Sequence, residues 1–236
     1  MVIHMERLDK IFSNRNLLSR KDFKRAIKNK EVTVNGDVVL DADIKVKEDD
    51  IVIYKNETIS LEKYIYIMLN KPLGVVSSTD DKLDKTVIDI LPKEFIRKDL
   101  FPCGRLDKDT SGLLIITNDG VSAHKRLSPK NHVDKTYYFE LKEPFKSSSI
   151  KKLENGITLK DGLETKPCKV EFYTKTTGII TLTEGKYHEI RRMFAYFSNL
   201  VLKLKRVSFG DIKLDENLKE GESRLLTKEE IEAFTK

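Results

Sequence analysis

The amino-acid sequence predicts an α+β protein in two parts, a small N-terminal α/β module and a larger domain with a central, mainly antiparallel β-sheet. Segments with the apolar and polar pattern of strands outnumber segments with helical periodicity. Several predicted strands are joined by short, hairpin-like turns, which favours antiparallel pairing. A polar stretch at 55–62 has no clear periodicity. We interpret it as a linker between a module at 1–58 and a domain at 63–236.

The composition is that of a folded protein and restricts the class of partner. Of the 236 residues, 39% are hydrophobic and 35% are charged, which is enough apolar material for a core. The net charge of +6 favours a polyanionic partner if the positive residues are clustered. No apolar run approaches the roughly 20 residues of a membrane span, and the N-terminus is too short and too weakly basic for a signal peptide, so no membrane partner is expected.

The two cysteines, Cys103 and Cys168, are far apart in the sequence. They have neither the spacing of metal ligands nor that of a disulfide framework. We therefore expect two small buried residues in a protein of the reducing cytoplasm.

The first clear helix begins after Ser19, which is suited to cap it, with Asp22 three residues further on. The helix is expected to reach Asn29. Helical periodicity places its apolar residues on one side, namely Phe23, Ala26 and Ile27. The opposite side carries four cations, Lys21, Lys24, Arg25 and Lys28. This face predicts contact with phosphates; an ordinary solvated helix surface is the alternative.

A β-hairpin is predicted directly after this helix. The segment Glu31–Val39 has Asn35 and Gly36 at its centre, and a type I′ turn needs positive φ at both of its central residues. A further strand is expected at Asp50–Tyr54, after an acidic turn.

The N-terminal module resembles the S4 RNA-binding domain. The matching residues are Arg7–Lys10, the pair Ser19 and Arg20, and Val32–Gly36. The resemblance implies that the basic helix, together with Arg20 and the adjoining loop, holds folded RNA by its backbone. Such contacts position the RNA and do not read its sequence.

The larger domain alternates predicted strands with a smaller number of helices. Strands are expected at Tyr64–Leu69, Leu113–Thr117, Thr136–Leu141, Cys168–Tyr173, Ile179–Thr183 and Leu202–Ser208. Helices are expected at Val121–Leu127, Ser148–Asn155 and His188–Phe197, and a last one after Thr227, where Glu230 completes a capping box.

The segment Gly104–Gly112 is the candidate reactive loop. It places an arginine, two aspartates, a threonine and a serine between two glycines, directly before a buried strand, and polar loops at strand ends often carry function. A solvated turn is one alternative. A phosphotransferase with an aspartyl-phosphate nucleophile is another. In such an enzyme the apolar strand precedes the first aspartate, whereas here it follows Asp107 and Asp109.

Four motifs occur in the order found in pseudouridine synthases. They are Asn70–Gly74, Gly104–Gly112, Lys135–Tyr137 and Glu184–Met193. The chain is most similar to the RsuA subgroup, the ribosomal small-subunit pseudouridine synthases, and the stretch Arg126–Tyr137 and the overall length favour this subgroup over its large-subunit relatives. The resemblance implies an α+β catalytic domain with a cleft along a central antiparallel sheet.

The resemblance also implies the reaction and its partner. The bond from ribose C1′ to uracil N1 breaks, the base turns and C1′ joins C5, so no cofactor is expected and no metal is needed. The expected substrate is a specific uridine of 16S ribosomal RNA, such as uridine 516, in naked RNA or an assembly intermediate. The enzyme is expected to act as a cytoplasmic monomer. Alternatives are a uridine of 23S RNA, or a non-catalytic assembly factor that binds ribosomal RNA.

Three residues carry the implied chemistry. By resemblance, Asp107 is the carboxylate that attacks the sugar or the base, or removes a sugar proton. Arg191 corresponds to the basic residue that pairs with this carboxylate, which would keep it ionised. Tyr137 corresponds to the aromatic residue that stacks on the target uracil.

The remaining candidates are contacts to RNA. Arg105 corresponds to the residue that fills the space left by the base or holds its phosphate, and Lys71 and Lys135 are expected at phosphates. Arg192 neighbours Arg191 on a helix, so only one of them can point directly at Asp107; the other meets RNA or solvent.

Two further residues of the last motif complete the expectations. Histidines, including His188, are interpreted as surface or RNA contacts. Glu189 departs from the glutamine of many relatives and adds negative charge near the RNA path.

Overall fold

The computed structural model describes residues 5–236, so that the N-terminal segment considered above for targeting lies almost wholly outside it. The described residues form two compact units. The first comprises the chain through Ile65 together with Pro92–Leu100, and the second comprises Tyr66–Leu91 and Phe101–Lys236. The segment Pro92–Leu100 thus packs with the first unit although the second unit precedes and follows it in the sequence.

The first unit combines two helices with short antiparallel strands. In chain order the elements are β1 (Met5–Arg7), α1 (Leu8–Asn14), α2 (Arg20–Lys28), β2 (Val32–Val34), β3 (Asp37–Val38), β4 (Lys45–Lys47), β5 (Val52–Tyr54) and β6 (Glu57–Ile59). β1 pairs with β4, and the other strands form a sheet in the order β3-β2-β5-β6. The core between helices and sheet includes Leu8, Phe12, Phe23 and Val32, all fully buried.

The predicted basic helix is confirmed as α2. The Ser19 hydroxyl accepts a hydrogen bond from the Asp22 amide at 3.1 Å, as an N-cap does. The apolar side of the helix, Phe23, Ala26 and Ile27, is buried. This arrangement leaves the cationic side of α2 exposed to solvent.

The hairpin turn is confirmed, and the linker prediction is wrong. Asn35 and Gly36 have φ values of 51° and 91°, as a type I′ turn requires. The polar stretch 55–62 contains β6, which pairs with β5 and buries Ile59. The turn before β6 uses positive φ at Lys55 and Asn56. A strand of three residues with one inward apolar side chain leaves too little periodicity to be recognised.

The second unit is built on one large sheet. Its elements are β7 (Tyr66–Lys71), β8 (Phe101–Pro102), β9 (Ser111–Thr117), α3 (Gly120–Leu127), β10 (Lys135–Leu141), α4 (Ile150–Glu154), β11 (Lys169–Phe172), β12 (Thr177–Leu182), α5 (Glu189–Tyr196), β13 (Val201–Phe209), β14 (Ile212–Lys213), β15 (Ser223–Leu225) and α6 (Lys228–Thr235). The main strand order is β11-β12-β10-β13-β9-β7-β15, with β8 on β9 and β14 on β13.

The sheet confirms the predicted fold class. Within the described strands, only the pairing of β13 with β9 is parallel; the others in this sheet are antiparallel. β7 and β9 are buried along their whole length. The predicted capping box of α6 is present, with Thr227 and Glu230 bonded reciprocally. β8, β14 and β15 were not predicted because strands of two or three residues carry almost no periodic signal. Across residues 5–236, none of the helices is both long and apolar enough to cross a bilayer.

The parallel contact brings the loop before β9 against β13. Gly112 lies opposite Arg206 in this pairing, and Arg206 lies opposite Tyr137 of β10. Gly112 has a φ of 105°, and a Cβ there would lie 2.2 Å from the Arg206 carbonyl oxygen. Only glycine allows both this conformation and this approach. The end of the Gly104–Gly112 loop is therefore fixed beside the strands that carry Tyr137 and Arg206.

Candidate active site

The Gly104–Gly112 loop rests on a buried ammonium group. Lys71, at the end of β7, is 0% exposed. Its Nζ donates to the carbonyl oxygens of Pro72 at 3.0 Å, Asp107 at 3.1 Å and Thr110 at 2.9 Å. Burial lowers its pKa to about 8, although the carboxylates of Asp107 and Asp109 act in the opposite direction. The expectation that Lys71 contacts RNA phosphate is wrong, because this side chain is enclosed beneath the loop.

Further bonds hold the loop in place. The Gly74 amide donates to the Lys108 carbonyl at 2.8 Å. The Ser77 hydroxyl donates to the Leu106 carbonyl at 2.8 Å and accepts from the Leu106 amide at 3.0 Å. The Asn70–Gly74 motif and the residues after it therefore act as the platform of the loop, and the Asp107 side chain projects from it, 34% exposed.

Asp107, Tyr137 and Arg191 line the same cavity, whose volume is about 280 Å³. Asp107 comes from the loop, Tyr137 from β10 and Arg191 from α5. Tyr137 is largely buried, whereas Tyr138 has its hydroxyl bonded to Glu140 and the Lys203 ammonium over its ring. Alternation along the strand thus separates the two tyrosines, as the sequence predicts. The cavity joins a carboxylate, an aromatic ring and a guanidinium contributed by three separate motifs.

Arg191 binds the loop at Asp109, which corrects the expected pairing with Asp107. Its Nη2 donates to the Asp109 carbonyl at 2.7 Å and lies 3.0 Å from the Asp109 carboxylate. Its Nη1 donates to the Val201 carbonyl at 2.9 Å. Within residues 5–236, no hydrogen bond or ion pair joins Arg191 to Asp107. The planar guanidinium can bind the carbonyls of Asp109 and Val201 and the Asp109 carboxylate at the same time. Arg191 therefore clamps the loop and brings positive charge to the cavity wall.

His188, interpreted from the sequence as a surface or RNA contact, lines the cavity, where its contact with Asp107 was not predicted. Its Nε2 lies 3.6 Å from the Asp107 Oδ1. It precedes α5 in the left-handed conformation, with a φ of 47°, which is unfavourable for a residue with a side chain. Strained backbone of this kind is concentrated at functional sites. The position of His188 depends on this backbone conformation, which residue type and spacing do not reveal.

Glu184 and Glu189 are two carboxyl groups on the cavity wall that shift each other's pKa. Glu189 is 4% exposed, and its Oε2 accepts from the Lys186 amide at 3.0 Å. Burial, followed by the hydrogen bond with Glu184, raises the pKa of Glu189 to about 7. Although burial alone would raise the pKa of Glu184, hydrogen bonds from Glu189 and the Lys166 amide lower it. The raised pKa of Glu189 and the lowered pKa of Glu184 mean that Glu189 is the first of the two to take up a proton as the pH falls.

Replacing Glu189 by Gln should make stability less dependent on pH. A raised acid pKa favours the folded state below pH 4.5, and this advantage is lost as the pH rises towards 7. The amide of Gln donates to Glu184 at any pH. As the pH rises from 5 to 8, the unfolding free energy of the wild type should fall by up to about 3 kcal/mol relative to that of the variant. Thermal unfolding at both pH values measures this change.

A control variant separates this effect from simple loss of charge. Glu171 is exposed on β11, so that Glu171→Gln removes a carboxylate without disturbing a buried pair. Its melting temperature should follow that of the wild type at both pH values. A difference between Glu189→Gln and wild type that stays constant from pH 5 to pH 8 would rule out a protonated Glu189.

Two family models match the chain, one for each unit. The model of the S4 domain matches residues 6–52. The model described as RNA pseudouridylate synthase matches residues 65–196, more than half of the chain. The chain belongs to the RNA pseudouridylate synthase family. The family assignment made from the four motifs, and the assignment of the N-terminal module to the S4 domain, are confirmed.

Curated pseudouridine synthases are similar over nearly their full length. An uncharacterized RNA pseudouridine synthase of Bacillus subtilis, YtzG, is 43% identical over 95% of this chain and 96% of its own. The ribosomal small subunit pseudouridine synthase A of Escherichia coli K12 is 39% identical over 95% of this chain and 98% of its own. A pseudouridylate synthase of known crystal structure has 38% identity and a TM-score of 0.68, covering 97% of this chain and 99% of its own.

The other predicted contacts of this pseudouridine synthase fall into different surroundings. Arg105 is exposed and lines the cavity, and residues 5–236 provide it with no ion pair. The Lys135 ammonium donates to the Val133 carbonyl at 2.9 Å, and burial lowers its pKa. Arg192 forms an ion pair with Asp161, in a second groove. Arg105 is thus the predicted RNA contact best placed at the mouth of the cavity.

The cations of α2 stand on the exposed face of the S4 domain. Arg20 lies 3.7 Å from Asp9, and Arg25 lies 2.9 Å from Asp22. In the described part of the chain, the remaining three cations of this face have no ion pair, namely Lys21, Lys24 and Lys28. They are therefore available to phosphates. The same part of the chain contains no cluster of three or more His, Cys, Asp or Glu residues that could hold a metal ion.

Proposed function

We propose that this pseudouridine synthase isomerises one specific uridine of 16S ribosomal RNA, with uridine 516 as the first candidate, and that Asp107 is its nucleophile. The observation that carries the proposal is the meeting of Asp107, Tyr137 and Arg191 around one cavity. The similarity to small-subunit enzymes over nearly the whole chain supports the choice of RNA. The enzyme acts as a cytoplasmic monomer, on naked 16S RNA or on an assembly intermediate.

The target base enters the cavity and stacks on Tyr137. Stacking on an aromatic ring contributes roughly 1–3 kcal/mol per base, which offsets much of the few kcal/mol, roughly, needed to extrude the base. Asp107 then attacks the sugar or the base, or removes a sugar proton. Each route requires an ionised carboxylate, and the Arg191 guanidinium lines the same cavity.

The S4 domain, assigned to residues 1–58, holds the RNA while the domain at 63–236 carries out the reaction. The exposed cations of α2 contact phosphates, and these contacts position the RNA without reading its sequence. Arg105 contacts the RNA at the mouth of the cavity. Arg192 and Lys135 are further proposed contacts. The phosphotransferase alternative loses support, because the apolar strand follows Asp107 and the loop carbonyls bind the Lys71 ammonium.

Mapping of pseudouridine in both ribosomal RNAs tests the substrate. Cells that lack the gene should lose one pseudouridine from 16S RNA and none from 23S RNA. The purified protein should restore it on RNA from the deleted cells, offered naked and as partly assembled subunits. Loss of a site in 23S RNA would assign the alternative substrate, and loss of none would favour a non-catalytic assembly factor.

The same restoration assay reports on α2. Replacing Lys21, Lys24 and Lys28 with Gln should raise KM for the RNA and flatten its dependence on salt, because each lost phosphate contact reduces the slope by about one. The turnover number should remain close to that of the wild type. An unchanged KM and salt slope would argue against phosphate contact by this helix.

A further inference from the structure

A second groove lies beside the active-site cavity and shares a residue with it. The groove has a volume of about 460 Å³. Its lining comes from the segment Leu159–Asp161 and from α5, namely Arg192, Ala195 and Tyr196. Tyr187 lines both the groove and the cavity. The two spaces therefore adjoin at Tyr187.

The shared residue has the properties of a stacking platform. The Tyr187 ring is 74% exposed. It is stacked on the His188 ring, with centroids 3.9 Å apart and planes inclined by 15°. The same His188 faces Asp107. An exposed ring that is supported on one side binds a planar group with little loss of conformational entropy.

Positive side chains lie in the groove and next to it. Arg192 forms an ion pair with Asp161 and donates to the Tyr187 carbonyl at 3.4 Å, so that it joins both walls. The Lys152 ammonium lies 4.8 Å from the centre of the Tyr196 ring. Lys160 is exposed at the lining. The lining thus holds two cations, one carboxylate and two aromatic rings, and a third cation lies against one of the rings. Aromatic rings with adjacent cations are typical of surfaces that bind single-stranded nucleic acid.

We propose that this groove binds the nucleotide next to the target uridine in the same RNA strand, which rests on the proposed function of the cavity. One phosphodiester link joins neighbouring nucleotides, and the two spaces adjoin at Tyr187. The neighbouring base stacks between Tyr187 and Tyr196, and its phosphate meets Lys160 and Arg192. Stacking tolerates any base. The groove therefore provides affinity and holds the strand in register, while the cavity accepts the uridine.

The proposal is tested by asking whether the effect of removing a tyrosine ring from the groove depends on the presence of the neighbouring base in the RNA. Fragments of 16S RNA would carry the target uridine and an abasic nucleotide on its 5′ side, on its 3′ side, or at a distant unpaired position. The dissociation constant would be measured for wild type, Tyr196→Leu and Tyr187→Leu. Tyr173→Leu is the matched control, because Tyr173 is an exposed tyrosine that lines neither space.

An abasic nucleotide on one side of the uridine should weaken wild-type binding by about 5- to 150-fold, corresponding to the loss of one stacked base. Tyr196→Leu should weaken binding of the intact RNA and be insensitive to that abasic substitution. Tyr173→Leu should behave like the wild type in both respects. If the loss of affinity from Tyr196→Leu and the loss from the abasic nucleotide multiply as independent factors, no base occupies the groove and the proposal is overturned. A groove that binds a protein partner would give this result.

The isomerisation assay separates this outcome from failure of the proposed function. If the wild type isomerises the intact fragment but the Tyr196 ring and the neighbouring base show no coupling in binding, only the proposed role of the groove is refuted. Wild type that binds but isomerises no uridine of either ribosomal RNA would refute the proposed function. Circular dichroism and melting temperature establish that each variant is folded before binding is compared.

Discussion

Asp107→Asn should reduce isomerisation at least about 1,000-fold, because the amide cannot act as a nucleophile or as a base. RNA affinity should stay within a few-fold of the wild type. The Asp107 side chain lies at a partly exposed position in the cavity, and the loop is held through its backbone, by Lys71 and Ser77, and not through this carboxylate. Single-turnover kinetics and a binding assay on the same RNA measure the two effects.

Asp109→Asn is the matched control for this substitution. Asp109 lies two residues further along the same loop, does not line the cavity and contacts Arg191 through both its carbonyl and its carboxylate. The substitution keeps the carbonyl contact, so that the loss of activity should be about tenfold or less. Activity of Asp107→Asn near that of the wild type would refute the nucleophile, and equal losses for both variants would point to charge in the loop as a whole.

Lys71→Met should lower the turnover number about 100-fold and leave KM for RNA less affected. The substitution removes the donor shared by the carbonyls of Pro72, Asp107 and Thr110, and a shift of about 1 Å in a reacting group can cost a factor of this size. Unfolding free energy should fall by roughly 3 kcal/mol, since buried carbonyls are left without their partner. Steady-state kinetics and denaturant unfolding measure both quantities.

Lys108→Met is the control that shows whether the effect of Lys71→Met comes from losing a buried ammonium group or from losing any lysine of this region. Lys108 belongs to the same loop, but its side chain is half exposed and forms an ion pair with Asp84 at 2.6 Å. Exposed pairs contribute roughly 0–1 kcal/mol, so that both activity and stability should change little. A Lys71→Met enzyme with the turnover number of the wild type would mean that the loop keeps its geometry without the buried donor.

The sequence was informative where chemistry depends on residue type and order. The four motifs predicted the family, and alternation along β10 separated Tyr137 from Tyr138. The cap at Ser19 and the turn at Asn35 follow from local rules for helix N-caps and type I′ turns. Convergence of three of these motifs on one cavity, with the fourth beneath the loop, could not be derived from spacing, but it followed from the resemblance.

The two errors, at Lys71 and Arg191, and the missed contact of His188 with Asp107 all depend on three-dimensional packing. Lysines are rarely buried, so residue type favoured an exposed Lys71. The sequence does not show which carboxylate of the loop, Asp107 or Asp109, Arg191 contacts. In the structure it binds Asp109, where its guanidinium also donates to the carbonyls of Asp109 and Val201. His188 approaches Asp107 through a left-handed backbone conformation that its neighbours in sequence do not indicate. Each of these contacts requires the backbone coordinates of two distant segments.

The membership of Pro92–Leu100 in the first unit affects how the molecule can be dissected. Within that unit, the Lys98 amide donates to the Asn14 carbonyl at 2.9 Å, and the Arg97 guanidinium donates to the Glu62 carbonyl at 3.0 Å. A chain shortened to begin at residue 63 would retain this segment and lose both acceptors. A truncated enzyme would therefore combine weaker RNA binding with a structural defect inside its own sequence, whereas point substitutions on α2 alter the RNA contacts alone.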